Sequence, residues 1–363
     1  MANKHMPWDL AQMQSLPLEA KIIMTQQRIR IWYEHWDGQV YVSFSGGKDS
    51  TVLKHIVDGM YSDVPALFVN TGLEYPELQS FVRDIKAGKY ECFNSDVEIS
   101  RPEMRFDEVI KKYGYPVVSK EVAKKVHECR SAERNGNKES YARKQFEGTY
   151  VSKNGKTNAF GIKKWKFMLD APFNVSHMCC NVMKKNPSKK YEKKTKRKAF
   201  IGTMAAESKL RYSNWLKYGC NAFEKGRPAS QPLSFWTEQD ILHYIKKYEV
   251  PYCSVYGDIV IDKKVDGDSV LEGQVNLIDY LGCYEPEDKL KTTGCNGTGC
   301  IFCMFGCHLE KEPNRFQRLK KTHPRHYEYC IGGGEYNEEG KWQPSKDGLG
   351  LGKVLDYIGV KYD

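Results

Sequence analysis

Residues 43–51 read SFSGGKDST and follow the apolar run QVYV. Two glycines, a lysine, an aspartate and several hydroxyls between a strand and a helix make a cradle for phosphate. Glycines let backbone N–H groups face an anion, and the N-terminus of the next helix adds its positive end. Gly46 and Gly47 would form the turn, while Ser45, Ser50 and Thr51 would donate hydroxyl hydrogen bonds. Lys48 would carry compensating charge. Two common phosphate signatures fail. The pattern G-x-x-x-x-G-K-[ST] is broken because Asp49 follows Lys48 and no glycine stands at the required distance before Gly47. The dinucleotide pattern G-x-G-x-x-G is absent here too.

The second chemically loaded feature is sulfur. Of twelve cysteines, Cys179 and Cys180 are adjacent, and Cys295, Cys300, Cys303 and Cys307 crowd into CNGTGCIFCMFGC. In a reducing compartment such grouping points to metal rather than to disulfides. Cys300 and Cys303 form a C-x-x-C, which suits zinc, redox or iron–sulfur chemistry. One assignment is local, a zinc knot of Cys295, Cys300, Cys303 and Cys307 wrapped by the neighbouring glycines. Cys92, Cys129, Cys220 and Cys253 read as small buried residues. Cys330 stands alone near His323 and His326, either a bystander or a nucleophile.

The net charge of +10 is concentrated. Residues 184–198, KKNPSKKYEKKTKRK, hold nine Lys or Arg against one Glu. Such a stretch either decorates a solvated loop or contacts a polyanion; its place four residues after Cys180 favours the second. No run approaches the ~18 apolar residues of a membrane span, and the start MANKHMPWDLAQMQ lacks a secretory apolar stretch. A cytoplasmic protein without a membrane partner is expected.

These features need elements to hold them. Residues 8–36 read as one amphipathic helix. QVYVSFS reads as a buried parallel strand, with a helix from about Asp49 carrying Val52, Leu53, Ile56 and Val57 at helical spacing. PALFVN (65–70) is a second strand, a helix starts at Pro76, and DVEIS (96–100) is a third strand. Residues 119–170 are Lys- and Glu-rich, with RNGNKES and SKNGKTN as loop signals, and suggest a helical insertion with a polar hairpin or loop. KAFIGTMAAES (198–208) returns to strand and turn, and Thr237 caps a helix bearing Ile241, Leu242 and Ile245. Strand–helix alternation predicts an α/β fold, a doubly wound and mostly parallel sheet, Rossmann-like. The expected organisation is an N-terminal helix (1–36), an α/β domain (37–250) and a Cys-rich C-terminal module (251–363).

The motifs together resemble a known family. S-G-G-x-D-S after a first strand looks like the PP-loop of the ATP pyrophosphatases, or adenine nucleotide alpha hydrolases. NTGLEYPEL, CCNVMKKNP, GTMAAESKLR and PLSFWTEQDILHYI are similar, in that order, to motifs of the phosphoadenosine phosphosulfate (PAPS) reductase-like family within it. The resemblance implies the adenine nucleotide alpha hydrolase fold and binding of ATP with Mg2+. It also implies cleavage between the α and β phosphates. It carries nucleotide contacts onto Ser43, Ser45, Gly46, Gly47, Lys48, Asp49, Ser50 and Thr51. Further contacts fall on Asn70, Thr71, Gly72, Gly202, Thr203 and Arg211, and catalytic roles on Lys48, Asp49 and Glu207. Iron–sulfur members hold one [4Fe–4S] cluster with a Cys-Cys pair and a distant C-x-x-C, which maps to Cys179, Cys180, Cys300 and Cys303. Zn2+ is the alternative metal, and Cys295 or Cys307 are substitute ligands.

Three departures shape the expected reaction. Sulfonucleotide reductases of this family carry a degraded phosphate loop, whereas this one is complete. Their C-terminal E-C-G-[IL]-H motif is missing. Met204 replaces the arginine of G-x-R-x-x-E-S, which would grip phosphate or sulfate in two places. The leading expectation is therefore an ATP-dependent sulfurtransferase that adenylates a substrate, releases pyrophosphate and inserts sulfur. The acceptor would be a nucleic acid, DNA or tRNA, held by residues 184–198, with a sulfur donor such as a cysteine desulfurase. The alternatives are a PAPS or adenylyl sulfate reductase and a non-catalytic nucleotide- or nucleic-acid-binding module.

Overall fold

A computed structural model describes residues 3–151, 155, 162–224, 226–262 and 288–363. Their described parts fall into two compact units. Met1–Phe68, Tyr75–Ser100 and Tyr191–Thr298 make one; Val69–Glu74, Arg101–Lys190 and Gly299–Asp363 make the other.

The first unit carries the sheet. From edge to edge its strands are Val97–Ser100, Ala66–Val69, Val40–Phe44, Lys198–Ile201, Ala229–Ser230 and Asn221–Ala222. Val40–Phe44 runs parallel to both its neighbours, with Val42 opposite Ala66 and Val40 opposite Lys198. Ala229–Ser230 continues the parallel order, and Asn221–Ala222 closes the edge antiparallel. This is the expected mostly parallel α/β sheet. Val40 and Val42 are fully buried, which is why the strand reads as an unbroken apolar run rather than an alternating one.

The helix Lys48–Met60 buries Val52, Leu53, Ile56 and Val57 in the same core as Trp32, Phe200, Phe235 and Trp236. The single helix expected over residues 8–36 is two, Pro7–Gln14 and Leu18–His35. Pro17 has no N–H to continue the first helix and its ring blocks the preceding turn, so it caps the second instead.

A buried ion pair fixes that second helix. Lys21 Nζ lies 2.8 Å from both carboxylate oxygens of Asp240, and its side chain is 3% exposed. Asp240 also accepts from the Thr237 backbone N–H at 2.6 Å and from its hydroxyl at 2.8 Å. The capping signal at Thr237 and the pair with Lys21 thus converge on one carboxylate, which sets the start of the helix Glu238–Lys247.

The units divide the chain differently from the domains expected by sequence. Residues 251–298, assigned there to a C-terminal module, group with the sheet. Ile259–Ile261 pairs antiparallel with Leu290–Thr292, and the Gln239 side chain both donates to and accepts from the Leu290 backbone. In the second unit, Met304–Phe305 pairs parallel with Val117–Val118, so the late Cys-rich segment packs with the early insertion.

Within residues 119–170 the described part contains the helices Lys120–Arg134 and Tyr141–Glu147, preceded by the helix Phe106–Tyr113. Arg130 donates to the carbonyl oxygens of Met168, Leu169, Ala171 and Phe173, satisfying backbone acceptors at the end of a 3₁₀ turn and just after it. The SKNGKTN loop signal falls almost wholly outside the described residues. The lysine-rich stretch is a helix, Asn186–Thr195, rather than a loop. Among the described residues, no helix is long and apolar enough to cross a membrane.

Lys21→Ala would leave Asp240 buried without its counter-charge. A loss of about 3–5 kcal/mol is expected, read as a lower denaturant midpoint at unchanged slope. The exposed Lys247–Glu19 pair provides the control: Lys247→Ala should cost about 1 kcal/mol or less. Equal losses in the two variants would contradict this account.

Candidate functional site

The phosphate loop forms where the central strand ends. Gly46 has φ +73°, and a Cβ there would meet Val82 and Leu78 at 3.0 and 3.1 Å. Only glycine turns the chain at that place. The loop is braced by its own hydroxyls. Ser45 Oγ and Ser50 Oγ are 3.0 Å apart, and the Gly47 N–H donates to Ser45 Oγ at 3.3 Å. Ser50 and Thr51 hydroxyls both donate to the Gly47 carbonyl, at 2.9 and 3.0 Å.

Lys48 is 5% exposed, with Nζ 3.1 Å from Asp49 Oδ1 and 3.3 Å from Glu238 Oε1. Burial works against its charge, but Asp49 and Glu238 outweigh it and the pKa is raised. The cation is therefore held in place.

The GTMAAESKLR segment meets this loop. Ser43 and Ile201 are cross-strand partners, and Thr203 N–H donates to the Ile201 carbonyl. A Cβ on Gly202 would stand 2.9 Å from the Asp49 carbonyl oxygen and 3.0 Å from Ser50 Cα. Glycine is required because two backbones touch. Glu207 accepts from the Met204 N–H at 3.2 Å and pairs with Arg211. Burial lowers the Arg211 pKa while the Asp49 charge opposes that shift.

Residues 43–51, Gly202, Thr203, Glu207 and Arg211 thus share the sheet unit. Asn70, Thr71 and Gly72 belong to the second unit. There Thr71 donates to Glu74 through both N–H (2.9 Å) and hydroxyl (2.7 Å), and the Gly72 N–H donates to Asn70 Oδ1. Sequence reasoning missed Glu238, Tyr256 and Thr298. The Lys48 N–H donates to the Tyr256 hydroxyl at 3.1 Å, which is 2.8 Å from Thr298 Oγ1.

The second unit gathers the cysteines, and one short segment does it. Tyr115 N–H donates to the Asn174 carbonyl and its own carbonyl accepts from Ser176, just before Cys179. Val117–Val118 pairs with Met304–Phe305, just after Cys303, and the Gly306 N–H donates to the Val118 carbonyl. Cys179 consequently feels Cys300, Cys180 and Cys303, and Cys303 feels Cys180. Burial pushes the Cys179 thiol far up and the Cys300 thiol up to about 11.

Two cations face this group. Lys184, an exposed residue, hydrogen-bonds Cys300 through its ammonium. Burial alone would lower its pKa, yet Cys300 and Glu74 raise it overall. Arg315 donates to the Cys303 carbonyl at 2.8 Å and is paired with Glu310.

The local set of four is not gathered. Cys295 belongs to the sheet unit, beside Cys253, and Cys307 Sγ donates to the Met304 carbonyl at 3.0 Å. Among the described residues, no three or more His, Cys, Asp or Glu side chains are arranged to hold a metal ion. Cys330 is fully buried with its pKa pushed well up by burial, which suits packing and not nucleophilic attack.

A family model described as the phosphoadenosine phosphosulfate reductase domain matches residues 39–142 and 137–303. Among solved structures, phosphoadenylyl-sulfate (PAPS) reductase from Candida auris, a phosphate complex, is similar at 15% identity. The match covers 66% of this chain and 91% of that one, with a TM-score of 0.37. No curated protein matches.

Gly114 decides whether the cysteine pairs stay together. Its φ is +107°, and a Cβ would lie 2.4 Å from the Asn174 carbonyl carbon. Gly114→Ala should cost more than about 2 kcal/mol and expose Cys179, buried in the folded protein, to a thiol reagent without denaturant. Gly59→Ala, in open space within a helix, should stabilise by about 0.5–1 kcal/mol and leave Cys179 protected. A protected Cys179 in both variants would refute the role given to residues 115–118.

Proposed function

We propose that this chain, which belongs to the phosphoadenosine phosphosulfate reductase domain family, is an ATP-dependent sulfur-inserting enzyme. The observation that carries the reading is the complete SGGKDS loop, closed against Gly202 with Lys48 held as a cation. A loop built this way suits a polyphosphate. A substrate oxygen would attack the α-phosphorus of ATP as the bond to the α–β bridging oxygen breaks, giving an adenylate and pyrophosphate. Loop amides and Lys48 would stabilise charge on the leaving pyrophosphate. Asp49 would face Mg2+, and Arg211 would balance charge near the α-phosphate. Glu207 would hold Arg211 in position. The terminal sulfur of a persulfide, carried by a donor such as a cysteine desulfurase, would then attack the activated carbon as AMP departs with its electron pair. A dithiol reductant would cleave the remaining S–S bond to release the thiolated product and the donor thiol.

The sulfonucleotide reductase reading has less support. It calls for a late nucleophilic cysteine, and Cys330 is buried and inert.

We read Cys179, Cys180, Cys300 and Cys303 as the ligands of an iron–sulfur centre in preference to a local zinc knot, because Cys179 and Cys303 each sense other members of this set. Each thiolate of a [4Fe–4S] cluster binds a different iron, so the ligands stand farther apart than four ligands on one zinc. Lys184 and Arg315 supply positive charge that thiolate ligation needs. Bound by Cys179, Cys180, Cys300 and Cys303, the cluster would supply redox-active iron.

A nucleic-acid acceptor is the favoured substrate class. The helix Asn186–Thr195 leaves Lys189, Lys190, Lys193 and Lys194 exposed, and among the described residues only Lys190 of the four has a nearby carboxylate, the exposed Glu103 at 3.3 Å.

ATP/pyrophosphate exchange, stimulated by tRNA or DNA, tests the reading. Lys48→Ala and Asp49→Ala should each weaken ATP binding by about 1.4 kcal/mol, tenfold, or more; unchanged affinity in both would end it. Anaerobically purified protein should be brown with about four iron per chain, and Ser at any of the four ligand positions should remove the colour. Zinc without iron would favour the local knot. Replacing Lys189, Lys190, Lys193 and Lys194 by Gln should reduce the slope of log affinity against log salt by about 0.7–0.9 per lost phosphate contact. An unchanged slope would leave the acceptor a small molecule.

A further inference from the structure

We infer that Tyr256 and Glu238 are resident ligands of the phosphate loop, occupying in the free protein the donors that an incoming polyphosphate must take over. The inference rests on the nucleotide reading of that loop and deepens it. Lys48 has two kinds of donor suited to phosphate, and both are already engaged. Its backbone N–H, in the first turn of the helix, donates to the Tyr256 hydroxyl at 3.1 Å. Its ammonium is shared between Asp49 and Glu238.

The hydroxyl sits where an anion would. A Cβ on Gly47 would meet Thr298 Oγ1 at 3.1 Å and the Tyr256 hydroxyl at 3.2 Å, so both oxygens lie directly over the loop. First-turn amides at a helix N-terminus are the groups that bind phosphate. The Tyr256 ring is 2% exposed, and its turn is pinned because the Gly294 N–H donates to the Tyr256 carbonyl at 2.8 Å. The hydroxyl is therefore placed by the fold.

Displacement is feasible because the hydroxyl has a second partner. When phosphate takes the Lys48 amide, Tyr256 keeps its contact with Thr298 Oγ1 at 2.8 Å, so no buried polar atom is orphaned. A charge-assisted bond from the amide to phosphate is roughly twice as strong as the neutral one it replaces. Glu238 acts differently. Its carboxylate repels an anion and shares Lys48, so it lowers affinity for bare polyphosphate while its side chain remains half exposed and screened by salt.

The three positions give opposite signs. Tyr256→Phe frees the amide and should tighten binding of inorganic pyrophosphate about three- to tenfold. Glu238→Gln should tighten it at low salt, with a smaller gain at high salt. Thr298→Val strands the displaced hydroxyl and should weaken binding about fivefold or more. Calorimetry on the full chain without magnesium reads all three, and hydrogen exchange at the Lys48 amide in free Tyr256→Phe should quicken. Unchanged or weaker binding in Tyr256→Phe overturns the inference. If Lys48→Ala abolishes binding while Tyr256→Phe and Glu238→Gln change nothing, the loop remains a polyphosphate site and only the resident ligands fall. If none of the variants, Lys48→Ala included, changes binding, both readings fall.

Discussion

The cysteine unit depends on the backbone pairing of residues 115–118 with two segments distant in sequence. On one side Tyr115 is hydrogen-bonded to Asn174 and Ser176; on the other, Val118 accepts from Gly306. Along the chain, more than a hundred residues separate the Cys179–Cys180 pair from the C-x-x-C at Cys300. Closing so long a loop has an entropic cost that grows slowly with length, so a few backbone hydrogen bonds with buried side chains suffice to hold it. Tyr115, Val117, Val118, Val175 and Met304 are all essentially buried, which supplies the apolar part. Val118 holds φ +61°, a costly conformation for a β-branched residue. It is tolerated here because pairing on both sides determines the backbone.

The sheet unit solves its problem by close approach. Gly202 touches the backbone of Asp49 and Ser50, while Gly46 turns against Leu78 and Val82. Both contacts need the absence of a side chain, and both were announced by glycines inside motifs. This is why the phosphate loop was legible: strand, turn and helix are local, and each requirement falls on a residue type that only a few positions can supply. The parallel sheet was legible for the same reason, since apolar runs of four or five residues between helices have few other solutions.

What was not legible depended on distance along the chain. Nothing in the local sequence around Tyr256 or Thr298 marks them, since a tyrosine in SVYG and a threonine in NGTG are ordinary loop residues. Their meaning comes from the pairing of Ile259–Ile261 with Leu290–Thr292, two short strands without a strong pattern. The N-terminal helix was read through Pro17 because its apolar spacing continues across the break. The lysine-rich helix looked like a loop because charge hides periodicity; its only buried contacts in sequence are Pro187 and Tyr191, four apart and on one face.

The two sites share an electrostatic logic. Lys48 is held by Asp49 and Glu238, and Lys184 by Cys300 and Glu74. In each case burial works against the cation and a nearby carboxylate favours it, Asp49 and Glu238 for Lys48 and Glu74 for Lys184, whereas Cys300, its thiol pushed up to about 11, is a hydrogen-bond partner. A fixed cation need not reorganise when an anion forms beside it, which is worth more than an equal charge on a mobile surface lysine. The exposed lysines at 189, 190, 193 and 194 are held differently: among the described residues only Lys190 stands near a carboxylate, the exposed Glu103 at 3.3 Å, so no buried acidic group fixes their charges.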